Sequence, residues 1–174
     1  MEYVDVYDLK GRRTGKVIPR FVPMGEGEFF KSVVVCIFNK EGKMLIQQRT
    51  WDKKSWPGLW DVSVGGALSA GEDSQEAGMR EVEEELGLHI DLSQARPHMI
   101  TSFSTGFTET YLVEMDVTLD DVTIQKEEVQ AVRFATREEI HSMIDAGIFI
   151  NYKRAWIDMT FECRHGYGTF EMPH

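Results

Sequence analysis

The segment Ser32–Phe38 (SVVVCIF) is an unbroken β-branched and apolar run, the pattern of a buried strand. Asn39–Gly42 supplies a turn, and Lys43–Gln48 is predicted to return beside that strand as its hairpin partner. Upstream, Tyr3–Tyr7 alternates with acids, Lys10-Gly11 marks a turn and Thr14–Ile18 returns, so the chain opens on a hairpin; Gly25–Phe30 links it to the rest. Arg49–Leu59 is a loop dense in Trp, Lys, Pro and Gly, and Trp60–Val64 is a short strand ending in Gly65-Gly66. Further strands are predicted at His98–Ser104, Thr110–Thr118 and Val129–Phe134. In the second, Tyr111, Val113, Met115 and Val117 face one way and Leu112, Glu114 and Asp116 the other.

Helical signals punctuate this pattern. Ser74–Leu86 is predicted as a helix with Ser74 as its N-cap, Asp73 at its positive end and Gly87 in the left-handed C-cap position. Thr136 and Glu139 form a capping box opening Arg137–Ala146, and Tyr152–Arg164 is a third helix. Strands dominate, which predicts an α/β protein, a mixed sheet covered on its faces by helices. No repeat, low-complexity tract or boundary signal interrupts residues 1–174, so one domain is expected, with residues 1–30 as hairpin and link.

Composition narrows the classes. Of 174 residues, 42 % are apolar and 28 % charged, ordinary for a globular chain and excluding a disordered or fibrous one. The net charge of −10 disfavours DNA or RNA as a partner. No apolar run reaches the roughly 18 residues of a membrane span, and the N-terminus carries no secretion signal. The two cysteines, Cys36 and Cys163, make neither a disulfide framework nor a zinc site, so a cytoplasmic location is expected.

The charge is concentrated. Glu72, Asp73, Glu76, Glu81, Glu83, Glu84 and Glu85 crowd a segment with one base, Arg80. At about 100° per residue, Glu85 falls about 40° and Glu84 about 60° from Glu81, so three carboxylates share one stripe. The small residues Ala77 and Gly78 lie on that face, leaving room for backbone or ligand, while Met79, Val82 and Leu86 form the apolar face. Arg80 can reach Glu84 or Glu76. Like charges at i, i+4 and an acid near a helix C-terminus both destabilise the helix unless a partner, such as a divalent cation, resolves them. Mg²⁺, which bridges protein carboxylates to substrate phosphates, suits this pattern, with Mn²⁺ as a substitute.

The stretch Gly66–Leu88 reads G-x5-E-x7-R-E-U-x-E-E-x-G-U, with U apolar, and resembles the signature box of the Nudix hydrolases without deviation. The resemblance implies a Nudix-type α/β/α sandwich and metal-dependent attack of water on a small-molecule diphosphate, such as a nucleoside di- or triphosphate or ADP-ribose. It places Glu81, Glu84 and Glu85 at the metal-ligand positions and the carbonyl of Gly65 as a further ligand. Arg80 orients the glutamates, and Glu72 is structural. The general base is a box glutamate or an acid on a later loop, where Glu127 and Glu128 are candidates and Glu128 is preferred. Leu45–Leu68 and Asp5–Arg20 are similar to isopentenyl diphosphate isomerase and related Nudix hydrolases, and Arg49, Lys53 and Lys54 become candidate phosphate-binding residues. The isomerase's reactive cysteine is missing near Gly65, and Cys36 sits in an apolar run. Isomerase-like activity and a non-catalytic nucleotide-binding module are therefore the alternatives to hydrolysis.

Trp51, Trp56, Phe103, Phe107 and Tyr111 are candidates either for core packing or for stacking on a nucleobase. His89, His98, His141, His165 and His174 share no ligand spacing. The tail residues Met159, Phe161, Tyr167, Phe170 and Met172 read as packing or a dimer contact, so a homodimer through the tail or the N-terminal hairpin is expected.

Overall fold

The computed structural model describes residues 2–171 and 173; the Met172 and His174 expectations lie outside them. Nine strands and three helices are described. β1 (Tyr3–Tyr7) and β2 (Arg13–Pro19) form a separate antiparallel hairpin. β3 (Phe30–Phe38), β4 (Met44–Arg49), β5 (Trp60–Asp61), β6 (Val64–Ala67), β7 (Met99–Phe103), β8 (Gly106–Glu114) and β9 (Val129–Ala135) form a mixed sheet. The helices are α1 (Ser74–Leu86), α2 (Arg137–Asp145) and α3 (Arg154–Glu162).

β3 is the axis of the molecule. Its alternate residues Val33, Val35 and Ile37 enter one core with Ala77, Val82 and Leu86 of α1. Val34, Cys36 and Phe38 enter a second core with Ile140 and Met143 of α2 and Ile157 and Phe161 of α3. A strand with helices on both faces has no polar side to show, which is why the run contains no alternation. The layers are therefore helix, sheet, helix, as expected.

The pairing departs from the sequence reading in three places. β3 and β4 meet only at Phe38↔Met44 and then diverge, so Lys43–Gln48 is not a full hairpin partner. β4 instead pairs with β9 from Met44↔Ala135 to Arg49↔Val129, and β3 pairs in parallel with β8 from Phe30↔Gly106 to Phe38↔Glu114. The short strand Trp60–Val64 is split into β5 and β6, because Ser63 plugs the fork. Its hydroxyl accepts from the Ile37 amide at 2.8 Å and donates to the Leu45 carbonyl at 2.5 Å. Gly65 and Gly66 consequently lie inside β6, paired with Val34 and Val33, rather than after a strand.

β8 begins four residues before the expected Thr110 and ends at Glu114. The hairpin with β7 closes at Phe103↔Gly106, which fixes the earlier start. Tyr111 and Leu112 are both buried, in opposite cores, so the apparent polar face of this strand is apolar at its centre. In the tail, Phe161 packs edge-on against Phe38, and Tyr167 stacks on His98 with ring centroids 4.5 Å apart. Among the described residues no helix is long and apolar enough to cross a membrane.

Candidate active site

α1 has the predicted bounds, but its cap is shifted by one residue. Asp73, not Ser74, is the N-cap: it accepts from the Glu76 amide at 2.9 Å while Glu76 accepts from the Asp73 amide at 3.0 Å. This capping box occupies Glu76, so Arg80 does not reach it. Ser74 is instead the first helical residue, and its hydroxyl meets Tyr111 Oη at 2.7 Å. Gly87 closes the helix at φ 64°, a conformation that costs glycine nothing.

Ala77 and Gly78 face protein, not ligand. A Cβ at Gly78 would lie 2.9 Å from Leu92 and 3.2 Å from Val35, so the small residues let α1 settle on the sheet. Close docking carries Glu81 and Glu85 inward, to 8 % and 7 % exposure. A Cβ at Gly66 would collide with the Glu81 carboxylate, which explains the glycine there.

Each of these carboxylates has a donor. Arg80 donates to both Glu72 oxygens, at 2.8 and 3.0 Å, to Glu81 at 2.9 Å and to Glu84 at 3.2 Å. Gln47 Nε2 donates to Glu85 at 2.6 Å and to the Ser63 carbonyl at 2.7 Å. Burial raises the Glu81 carboxyl, partly offset by Arg80. Burial pushes Glu85 up to about 7, with the Gln47 hydrogen bond opposing and Glu81 adding repulsion. Among the described residues no three side chains are already gathered at metal-ligand spacing. The three glutamates border one cleft, and their oxygens are held by Arg80 and Gln47.

That cleft has a volume of about 810 Å³. It is lined by Glu81, Glu84 and Glu85 with Gly65, and by Arg49, Lys53 and Lys54; Glu128 also lines it, whereas Glu127 does not. Arg49 ends β4, where its Nε donates to the Ser55 carbonyl at 3.1 Å and its Nη1 lies 3.7 Å from buried Asp61. Asp61 also accepts from Tyr152 Oη at 2.8 Å. Lys53 is paired with Glu128. Glu128 arrives through backbone bonds: the Gln125 and Thr123 amides take the last carbonyls of α1, Glu85 and Leu86, and the Thr50 amide donates to the Glu128 carbonyl. These bonds satisfy the exposed end of the helix and bring the loop after it beside the glutamates.

The sequence of residues 28–155 matches the NUDIX domain family. The chain belongs to the Nudix hydrolase family. It is 43 % identical over 152 residues to an uncharacterized Nudix hydrolase, lmo0368, of Listeria monocytogenes, covering 87 % of this chain and 90 % of that one. A crystal structure of DR0079 from Deinococcus radiodurans superposes with a TM-score of 0.74 at 26 % identity, covering 93 % of this chain and 99 % of that one. Similarity to isopentenyl-diphosphate delta-isomerase of Salmonella heidelberg is confined to 63 residues at 43 % identity, 36 % of this chain and 35 % of the relative.

Beside the Nudix box stand residues that the sequence reading missed: Gln125, Tyr3, Arg20 and Phe21 line the cleft, and Gln47 is buried against Glu85. Gln47 had a signal, since a polar residue two positions after buried Leu45 shares its face of β4. The others come from segments whose proximity no local pattern encodes. None of Trp51, Trp56, Phe103, Phe107 and Tyr111 lines the cleft. Tyr111 is fully buried, Phe107 packs on Phe29 and Phe103 on Phe30. Trp51 lies against Gly58, although it stays largely exposed.

Proposed function

We propose that this Nudix enzyme hydrolyses a diphosphate linkage in a nucleoside diphosphate derivative with Mg²⁺, or Mn²⁺ in its place. One observation carries the reading: a single cleft is lined both by the three box glutamates and by Arg49, Lys53 and Lys54. Carboxylates suit a hard cation, and the basic side chains suit phosphate oxygens. The donor set, Glu81, Glu84 and Glu85 with the Gly65 carbonyl, fits Mg²⁺ chemically, and Arg80 and Gln47 would yield those oxygens on loading. When bound, the cation neutralises the diphosphate and acidifies a water.

The protein's own residues supply the rest. Arg49 is held by Asp61 and Ser55, so it can meet a phosphate without first being ordered. Lys53 turns from Glu128 to the diphosphate, which frees Glu128 to accept the proton of the attacking water. The water oxygen bonds phosphorus, and the bridging P–O bond breaks with its electron pair leaving on the departing phosphate. Arg80 is a positioning residue that holds Glu81 and Glu84 toward the cleft and ties them to Glu72.

The isomerase alternative lacks its chemistry here. Cys36 is fully buried, and neither it nor Cys163 lines the cleft. A panel of nucleoside diphosphates, nucleoside triphosphates, ADP-ribose and isopentenyl diphosphate, each with Mg²⁺ and with chelator, tests the reading. Metal-dependent cleavage of at least one nucleotide is expected. Formation of dimethylallyl diphosphate, or inertness toward every nucleotide, would overturn it.

A further inference from the structure

Among the described residues only Phe21 and Trp56 hold a positive φ without being glycine. Phe21 lies in the turn that ends β2. The Val22 amide donates to the Pro19 carbonyl at 3.2 Å, and Phe21, third of the four residues, has φ 75°. A positive φ at that position alone defines a type II turn, where glycine is the favoured residue. Phenylalanine therefore occupies a position whose backbone disfavours it. Its side chain gains little burial in return, being 69 % exposed.

What the ring does instead is line the cleft. It shares that surface with Arg49, Lys53 and the box glutamates. Lys54 Nζ reaches from the opposite loop to 4.5 Å from the ring centroid, and the Arg20 guanidinium lies 5.0 Å from it. The turn is also fixed relative to the box. The Gly71 amide donates to Asp5 at 2.8 Å, the Ala70 amide to the Tyr3 carbonyl at 2.9 Å, and Arg13 Nη2 to the Glu72 carbonyl at 2.6 Å. The hairpin is thereby strapped to the loop that carries Glu72, itself the partner of Arg80.

We propose that Phe21 is the stacking platform for the nucleobase of the substrate, with Arg20 and Lys54, which now lie over its ring, moving onto the adjoining phosphates. This rests on the reading of the cleft as a nucleoside diphosphate site. An aromatic face held at a cleft rim takes any planar base, and neighbouring cations take the charge that follows it. The hairpin, which lies outside the matched residues 28–155, then sets which nucleoside diphosphate derivative the cleft prefers.

The test uses Phe21→Gly, which restores the residue the turn favours, and Phe21→Leu, which keeps apolar bulk without the π face. Two readouts separate this proposal from the hydrolase reading. The first is kcat/KM with Mg²⁺ for a nucleoside diphosphate relative to phosphoribosyl diphosphate, which carries no base. The second is binding of a non-hydrolysable α,β-methylene nucleoside diphosphate, measured by calorimetry. Both variants should lower the kcat/KM ratio about ten-fold or more, mainly through KM, and weaken analogue binding to a similar extent. If the wild type cleaves nothing but binds the analogue and Phe21→Gly loses that binding, the platform stands and the hydrolase reading falls. If either variant keeps the wild-type ratio and affinity, or the wild type does not bind the analogue, the platform is overturned.

Discussion

The Glu85 carboxyl offers a direct thermodynamic probe of the site. It is 7 % exposed, and burial raises it from the ordinary 4.5 to about 7. In the metal-free protein the folded state therefore holds its proton more tightly than the unfolded chain does. Between those two values the folded state binds more protons, so stability falls as pH rises through the window. Below about pH 4.5 the group is neutral in both states and costs nothing. Above about pH 7 it is charged in both, and the full penalty applies. Holding the buried charge at pH 8 then costs about 3 kcal/mol. Glu85→Gln removes the charge while keeping an oxygen for Gln47 to donate to. With chelator present, the variant should melt above wild type at pH 8 by roughly 6–12 °C, at 2–4 °C per kcal/mol for a chain of this size. At pH 5 the difference should shrink to about a quarter of that. Circular dichroism melts across pH 5–8.5 measure it. A variant less stable than wild type at pH 8, or a gap that does not change with pH, would refute the argument that Glu85 is a buried charge awaiting a partner.

Other consequences follow from the same geometry. Mg²⁺ or Mn²⁺ should raise the melting temperature of wild type, since the unfolded chain offers no equivalent cluster, and Glu81→Gln/Glu85→Gln should lose that rise. An equal rise in the double variant would place the cation elsewhere. Gly66→Ala should push the Glu81 carboxylate aside at little cost to the metal-free protein, since a side-chain end can move, and should shrink the rise in melting temperature with Mg²⁺. An unchanged response to Mg²⁺ in that variant would show that the position of Glu81 does not matter to the cation. Lys53→Ala should raise KM for a diphosphate substrate about ten-fold or more, as expected for loss of a hydrogen bond to a charged group worth about 1.5–3 kcal/mol. An unchanged KM would remove Lys53 from phosphate binding.

What was legible in the sequence divides along a physical line. Features written into local chemistry read correctly. The bounds of α1 follow from its acidic first turn and Gly87, although its cap is Asp73 and not the expected Ser74; the cap of α2 follows from Thr136 and Glu139, and the glutamate stripe from helical spacing. Features set by which segments meet did not. Nothing local says that β4 leaves β3 after one pair for β9, or that Ser63 fills the fork. Ala77 and Gly78 left room for backbone or ligand because smallness does not say what lies opposite; at Gly78 it is Leu92 and Val35, and Ala77 is in the same core. Of the aromatic candidates, Tyr111, Phe103 and Phe107 took the packing role the sequence also offered. An aromatic in a loop or strand carries no mark of which way it faces, so Phe21, in a segment without regular alternation, drew no notice. That Arg49, Lys53 and Lys54 share a cleft with the box glutamates was legible from the basic loop in Leu45–Leu68 near the box.

The central claim is that water attacks phosphorus in this cleft under the control of the box glutamates. The most direct measurement is hydrolysis of a nucleoside diphosphate in ¹⁸O-enriched water with Mg²⁺, followed by phosphorus NMR and product mass. The account predicts one ¹⁸O bonded to phosphorus in one of the two products, at a rate reduced more than ten-fold, or at least about 1.4 kcal/mol in the barrier, by Glu85→Gln. Turnover without label on phosphorus, or Glu85→Gln working at the wild-type rate, would contradict it.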